Sequence, residues 1–194
     1  MAMNLANKIT ISRLLLIPIF AALVLNYREL PGGEREFLRY LAIIVFALAS
    51  LSDAVDGFIA RTFNQQTRLG SFLDPLADKM LLMTAVILLS LKIPGLTQLP
   101  IWFPVLVISR DVFLTVGSLV VHLTTGSLRV LPNLLGKATT VFQMATVIWI
   151  LMKWPGAYWV WGPAAFFTLL SGFVYIISGS KQLNGNPPLP QIGG

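Results

Sequence analysis

The stretch that decides the fold of this chain covers residues 53–79 and reads DAVDGFIARTFNQQTRLGSFLDPLADK. The whole chain has eight acidic residues, and four of them lie between Asp53 and Asp78. Long apolar runs flank the stretch on both sides. Acidic groups are costly next to apolar surroundings, so a cluster of them here predicts a functional site.

The composition of the chain predicts a protein that is solvated by lipid. Of its 194 residues, 56% are hydrophobic and only 11% are charged, and the mean hydropathy is +0.77. An ordinary soluble domain has about 25% charged residues. The length accommodates about six spans of roughly 20 residues with short connections.

Six apolar segments separated by polar or Pro/Gly-containing connections can be drawn along the sequence. They lie at about residues 9–26, 37–60, 71–91, 101–123, 134–152 and 158–178. We therefore predict an all-α integral membrane protein with six transmembrane helices in one domain, residues 1–183, followed by a disordered Pro/Gly-rich tail, residues 184–194. The first segment could pass for a signal peptide, but no small-residue cleavage site follows it, which favours a retained span.

Residue counts exclude several kinds of site. The chain has no cysteine and a single histidine, so thiol chemistry and a histidine-rich metal site are excluded. The net charge of +6 does not indicate a nucleic-acid partner, because the basic residues are scattered at the ends of apolar runs. Such residues are typical anchors at the membrane edge.

The distribution of Lys and Arg predicts the orientation in the membrane. With six spans, both termini lie on one side, and the Lys/Arg count favours that side by seven to five. The excess indicates a cytoplasmic N-terminus, which places the polar hinge at residues 62–69 in the cytoplasm as well. Since no organelle presequence is evident, we expect a bacterial inner-membrane protein, and the orientation places its active site on the cytoplasmic side.

The four acids have helical spacing. Asp53 and Asp56 are three residues apart at the end of the second predicted helix, and Asp74 and Asp78 are four apart at the start of the third. Both spacings place the side chains on one face of a helix. Since the hinge between the helices is short, we expect antiparallel neighbours whose carboxylates converge. Hard cations prefer oxygen ligands, so the cluster predicts one or two divalent ions, Mg²⁺ or Mn²⁺.

The motif resembles the signature of the CDP-alcohol phosphotransferase family. It reads Asp-x2-Asp-Gly-x2-Ala-Arg-x8-Gly-x3-Asp-x3-Asp from Asp53 to Asp78, and all eight fixed positions agree. The resemblance implies a membrane enzyme with six spans, usually a homodimer, that uses a CDP-linked donor such as CDP-diacylglycerol. It also implies two metal ions.

Site residues follow from the resemblance position by position. Metal ligands are expected at Asp53, Asp56, Asp74 and Asp78. Asp78 is also the expected general base for the acceptor hydroxyl. Contacts with the cytidine diphosphate moiety are expected at Asp53, Gly57, Ala60, Arg61 and Gly70.

The acceptor alcohol stays open between two branches of the family. The N-terminal Asn7, Thr10 and Arg13 resemble the phosphatidylglycerophosphate synthase branch, whose acceptor is glycerol 3-phosphate. The stretches VISRDVFLTVGSLVV (107–121) and LPNLLGKATTVFQ (131–143) also resemble cardiolipin synthases that use CDP-diacylglycerol and phosphatidylglycerol.

The acceptor phosphate is expected to bind cationic side chains. Arg110, Lys137 and Arg13 are the candidates, and Arg110 is notable because it lies midway along a predicted span. Two other readings of these cations are open: Arg110 could form an ion pair with Asp111 or with one of the motif aspartates, and Lys137 could be an interfacial anchor. A protein of another class, a divalent-cation transporter, would also use intramembrane acids, but its polar residues should extend across the bilayer.

Overall fold

In the part of the chain that the structure describes, the fold consists of six α-helices. The computed structural model describes the backbone of residues 5–30, 32–63, 70–125 and 134–183, and the side chains of residues 12–30, 32–52, 79–117, 120, 123 and 134–178. Within these ranges there is no β-strand. The helices are α1 (Leu5–Glu29), α2 (Gly33–Phe63), α3 (Gly70–Ser90), α4 (Trp102–Thr125), α5 (Leu134–Leu151) and α6 (Tyr158–Leu183).

The six predicted helices are confirmed, and their lengths differ from the apolar segments in an informative way. α3 and α5 match the apolar runs to within one residue at each end, whereas α1, α2 and α6 continue about one turn beyond them. Hydropathy marks only the apolar part of a helix, and polar residues such as those in Gly33–Phe63 extend the same hydrogen-bonded backbone. The predicted tail, residues 184–194, lies outside the described residues.

By its contacts the chain divides into two compact units, which are described separately. The first contains Met1–Gln98 together with Ile150–Lys153, and the second contains Leu99–Trp149 and Trp154–Gly194. In the first unit α1 contacts α2 and α3, and α2 contacts α3. In the second unit α4 contacts α6.

The helices α1 and α2 form an antiparallel hairpin in the first unit. The rings of Phe20 and Phe46 lie 5.5 Å apart, and the Arg35 guanidinium lies 4.3 Å from the centre of the Tyr27 ring. From residue 20 to residue 27 of α1, the contacting residue on α2 therefore changes from 46 to 35, so the two helices run in opposite directions. The hairpin core consists of fully buried apolar side chains, among them Phe20, Val24, Phe46 and Ala49.

A buried arginine stabilises the end of α5. Arg39 is 5% exposed and donates from Nη1 to the carbonyl of Leu151 at 2.6 Å and from Nε to Glu36 Oε2 at 2.8 Å. The last carbonyls of a helix have no partner within it, so the Arg39 bond satisfies one of them. Glu36 also accepts a hydrogen bond from Lys153 Nζ.

The turn after α5 has the backbone pattern of a Schellman motif. The Lys153 amide donates to the Ile150 carbonyl and the Trp154 amide donates to the Trp149 carbonyl. Lys153 occupies the left-handed position, with φ of 57°, where glycine is usual. The conformation costs about 1 kcal/mol for a residue with a Cβ, and it brings the Lys153 side chain to Glu36.

In the second unit, glycines allow large side chains to approach neighbouring helices. A Cβ added at Gly117 on α4 would lie 3.1 Å from the ring of Tyr175, so only glycine fits there without a shift. The Tyr175 hydroxyl donates to the Leu114 carbonyl at 3.1 Å. The rings of Phe142 on α5 and Phe167 on α6 stack with centroids 5.1 Å apart.

Two of the described helical segments are long and apolar enough to cross a membrane. They are Leu134–Leu151 and Tyr158–Ser178, and Lys79–Ser90 is a shorter apolar segment. Large apolar side chains are exposed on the other helices as well, for example Leu15, Phe37 and Phe113. That the remaining helices also cross the membrane stays a prediction.

Candidate active site

The acidic motif is distributed over two contacting helices of the first unit. Asp53 and Asp56 lie on α2, and Asp74 and Asp78 lie on α3. Because both pairs sit in continuous helix, each pair occupies one face. The side chains of these residues lie outside the described part of the structure, so the convergence of their carboxylates stays a prediction.

The other motif positions lie at the same ends of the two helices. Gly57, Ala60 and Arg61 are within the last seven residues of α2, Gly57–Phe63, and Gly70 is the first residue of α3. Their side-chain contacts are also outside the described residues. The predicted contacts with the cytidine diphosphate moiety are therefore supported by helix position alone.

The donor set of the motif suits a hard divalent cation. It consists of four carboxylates, with no thiolate or imidazole, and Mg²⁺ and Mn²⁺ prefer oxygen ligands. Among the residues whose side chains are described, no other group of three acidic or histidine residues could hold a metal ion. The motif is thus a candidate metal site by the chemistry of its donor set.

Arg13 lies at the level of the motif in the α1–α2 hairpin. Its side chain is fully buried. Arg13 is seven residues before Phe20 on α1, and Asp53 is seven residues after Phe46 on α2 (20 − 13 and 53 − 46). Because Phe20 and Phe46 contact each other in this antiparallel pair, Arg13 and Asp53 share one level along the helix axes. The register therefore places the buried Arg13 at the same level of the hairpin as the backbone of Asp53.

Arg110 is held from two sides within the second unit. Its Nη1 donates to Asp111 Oδ1 at 2.7 Å, and its Nε donates to Ser171 Oγ on α6 at 3.1 Å. The ion pair with Asp111, one of the two roles considered for Arg110, is therefore present. The side chain of Arg110 remains 14% exposed.

The third nitrogen of Arg110 lies at the start of α5. A Cβ added at Gly136 would be 3.4 Å from Nη2, and no described residue accepts a hydrogen bond from this atom. Lys137, which is exposed, follows Gly136 in the first turn of α5. The structure thus brings Arg110 to the helix turn that carries Lys137, and a helix N-terminus favours anions.

Sequence reasoning did not identify Ser171 as a partner of Arg110. Ser171 lies in the largely apolar stretch TLLSGFVY of α6, where a serine carries no signal of function. Gly172 also contacts Arg110, since a Cβ there would lie 3.7 Å from Arg110 Cγ. Only the packing of α6 against α4 shows these contacts.

The described helices and the spacing of the aspartates on α2 and α3 are typical of a helical phosphotransferase. The sequence model of the CDP-alcohol phosphatidyltransferase family matches residues 3–175. The chain belongs to this family, and the resemblance inferred from the motif is confirmed.

Three bacterial relatives carry the name CDP-diacylglycerol–glycerol-3-phosphate 3-phosphatidyltransferase. The Bacillus subtilis (strain 168) protein is 38% identical over 185 residues, covering 89% of this chain and 93% of the relative. The Aquifex aeolicus protein is 36% identical over 146 residues, covering 75% and 74%. The Escherichia coli (strain K12) protein is 32% identical over 198 residues, covering 94% and 98%.

Proposed function

We propose that this protein transfers the phosphatidyl group of CDP-diacylglycerol to glycerol 3-phosphate and releases CMP, which makes it a phosphatidylglycerophosphate synthase. The observation that carries the proposal is the complete eight-position motif, distributed over α2 and α3 of a chain that belongs to the phosphatidyltransferase family. Relatives similar over most of their length carry the name of this activity.

The metal site consists of Asp53, Asp56, Asp74 and Asp78, which would hold Mg²⁺ or Mn²⁺, with two ions expected. When bound, the ions neutralise the pyrophosphate of the donor and stabilise the CMP leaving group. The carboxylate donor set and the placement of both pairs on helix faces support this assignment.

The transfer step needs a base for the acceptor hydroxyl. Asp78 accepts the proton of this hydroxyl while its oxygen attacks the β-phosphorus of CDP-diacylglycerol. A new phosphorus–oxygen bond forms, and the bond between the β-phosphorus and the CMP oxygen breaks. Gly57, Ala60, Arg61 and Gly70 hold the cytidine diphosphate moiety, where small residues let the ligand approach the helix backbone closely.

The acceptor phosphate binds cationic side chains. Glycerol 3-phosphate is a small dianion, and Arg13, Arg110 and Lys137 are the cations assigned to it. Two observations support these roles: Arg13 is buried at the level of Asp53, and Arg110 Nη2, from which no described residue accepts a hydrogen bond, lies at the first turn of α5. Phosphatidylglycerol, the acceptor of cardiolipin synthases, carries one negative charge and needs fewer cations.

The protein acts within a bilayer, a bacterial inner membrane, as a six-span homodimer with its active site facing the cytoplasm. Exposed apolar side chains such as Phe113, Phe166 and Phe173 are 60–67% exposed and suit contact with lipid acyl chains. The acyl chains of the donor then stay in the membrane while its headgroup reaches the motif. The excess of Lys and Arg on the side of the termini supports the orientation.

Substitution of the proposed base tests the function. In an assay with CDP-diacylglycerol, glycerol 3-phosphate and Mg²⁺, we expect Asp78→Asn to lower the rate of CMP release by roughly 10²–10⁴-fold, which is the usual contribution of a general base. Glu34→Gln removes an exposed acid in the first turn of α2 and serves as the control, with unchanged turnover. Full turnover by Asp78→Asn would remove Asp78 from this role.

The transporter alternative predicts a different result. Wild-type protein in liposomes would carry Mn²⁺ across the bilayer and would release no CMP with either acceptor. We expect CMP release that depends on the acceptor and no Mn²⁺ flux above that of empty liposomes.

A further inference from the structure

We propose that Ser171 is a positioning residue for the acceptor site: with Thr168 and Gln143 behind it, it orients Arg110 so that Nη2 faces the start of α5. The inference rests on the proposed function, in which Arg110 binds the acceptor phosphate. It assigns a role to three buried polar residues of α5 and α6 that the proposed mechanism does not use.

The guanidinium of Arg110 is constrained at two of its three nitrogens. Ser171 accepts from Nε, and Asp111 accepts from Nη1. A planar group fixed at two edges cannot rotate about its own axis without losing one hydrogen bond. The remaining atom, Nη2, is thereby directed at Gly136, which has no side chain to cover it.

The hydrogen bonds of Ser171 have only one consistent direction. Its hydroxyl donates to the Thr168 carbonyl at 3.1 Å, because a carbonyl can only accept. Its lone pairs are then available to the Arg110 Nε–H, since arginine can only donate. Ser171 is 2% exposed, so water does not replace either bond at low cost.

A further buried hydrogen bond joins this part of α6 to α5. Thr168 Oγ1 donates to the Ala164 carbonyl at 2.6 Å and accepts from Gln143 Nε2 at 3.0 Å. Thr168 is fully buried and Gln143 is 4% exposed, so this bond links α6 to α5 in an apolar environment. Gln143 lies two turns after Gly136 on the same face of α5, and the link therefore also sets where Gly136 lies relative to Arg110.

A positioning role predicts a selective kinetic defect. In Ser171→Ala, the Arg110 side chain loses the bond at Nε and can follow Asp111 alone. We expect the KM for glycerol 3-phosphate to rise about tenfold, with kcat and the KM for CDP-diacylglycerol within about twofold of wild type. An unchanged KM for glycerol 3-phosphate would overturn the proposal.

A matched control separates positioning from packing. Ser90 on α3 is 8% exposed and donates to a carbonyl three residues back, that of Ile87, as Ser171 does to Thr168. Ser90→Ala should lower the thermal stability about as much as Ser171→Ala does and leave the KM for glycerol 3-phosphate unchanged. A parallel rise of this KM in both variants would overturn the proposal.

A double substitution tests whether Ser171 acts through Arg110. In an Arg110→Lys background the guanidinium is absent, so adding Ser171→Ala should change the KM for glycerol 3-phosphate less than twofold further. A further tenfold rise would overturn the proposed route through Arg110. Should Ser171→Ala not fold, Gln143→Met tests the network from α5, with a selective rise of the same KM expected and no change counting against the proposal.

The Arg110→Lys variant also distinguishes the acceptor role of Arg110 from the positioning role of Ser171. If Arg110→Lys leaves the KM for glycerol 3-phosphate unchanged, the acceptor role of Arg110 in the proposed function is wrong and the positioning role falls with it. If Arg110→Lys raises the KM and Ser171→Ala does not, the proposed function stands and the positioning role is wrong.

Discussion

Replacing Gly136 with alanine should make the protein more stable and less active, and this opposition tests the acceptor site. Gly136 is the third residue of α5. Alanine is favoured over glycine in a helix by roughly 0.5–1 kcal/mol. The added Cβ would lie 3.4 Å from Arg110 Nη2, an ordinary contact distance that requires no displacement of the helix.

The effect on catalysis follows from the same distance. The new methyl group covers the one nitrogen of Arg110 that no described residue uses, and a phosphate oxygen can then no longer reach it. A hydrogen bond that involves a charged group contributes about 1.5–3 kcal/mol. The KM for glycerol 3-phosphate should therefore rise roughly ten- to hundredfold, since each 1.4 kcal/mol is tenfold.

The assay compares initial rates of CMP release with thermal stability in the same detergent–lipid micelles. Gly162→Ala is the control, because Gly162 lies inside α6 and, among the described residues, no atom beyond its chain neighbours and its own helix backbone lies within 4 Å of the added Cβ. It should keep the wild-type KM. A Gly136→Ala protein that is stabilised and has an unchanged KM would refute the assignment of Nη2 to the acceptor.

Three further predictions concern the cluster at the end of α5. Arg39→Met should lower the free energy of unfolding by roughly 1.5–3 kcal/mol, because the Leu151 carbonyl and Glu36 each lose a charged donor. The control Arg28→Met, at an exposed position, should cost less than about 0.5 kcal/mol, and thermal melts compare the two variants. Lys153→Gly should be more stable than Lys153→Ala by about 1 kcal/mol, since both variants lose the ion pair with Glu36 and only alanine is strained in the left-handed backbone conformation. Equal melting temperatures of the two variants would contradict this. Hydrogen bonds from Lys153 and Arg39 lower the pKa of Glu36 from its ordinary value of 4.5, so the stability that this carboxylate contributes is full above that value and is lost as the pH falls below it. Glu36→Gln should therefore reduce the pH dependence of the melting temperature over that acidic range, and an unchanged dependence would contradict the assignment.

The helices could be predicted from the sequence because apolar run length and Pro/Gly breakers are local signals. The bounds of α3 and α5 followed from these signals almost directly. The Schellman turn could not be predicted, because Lys153 stands where glycine is usual. Its conformation depends on Arg39 and Glu36, more than a hundred residues earlier in the chain.

The candidate site divides in the same way. The aspartate motif could be predicted because its eight positions have fixed spacing within two helices. Arg110 was identifiable as a charge within an apolar run, but its orientation depends on Ser171, which is 61 residues away and has no local signal. The level of Arg13 relative to Asp53 required the register of α1 against α2.

The identity of the lipid product tests the proposed activity most directly. Purified protein would be incubated with CDP-diacylglycerol and Mg²⁺, with glycerol 3-phosphate in one reaction and phosphatidylglycerol in another, and the products would be identified by mass spectrometry. We expect phosphatidylglycerophosphate and an equal amount of CMP in the first reaction alone. Cardiolipin in the second reaction, with no product in the first, would contradict the proposed activity.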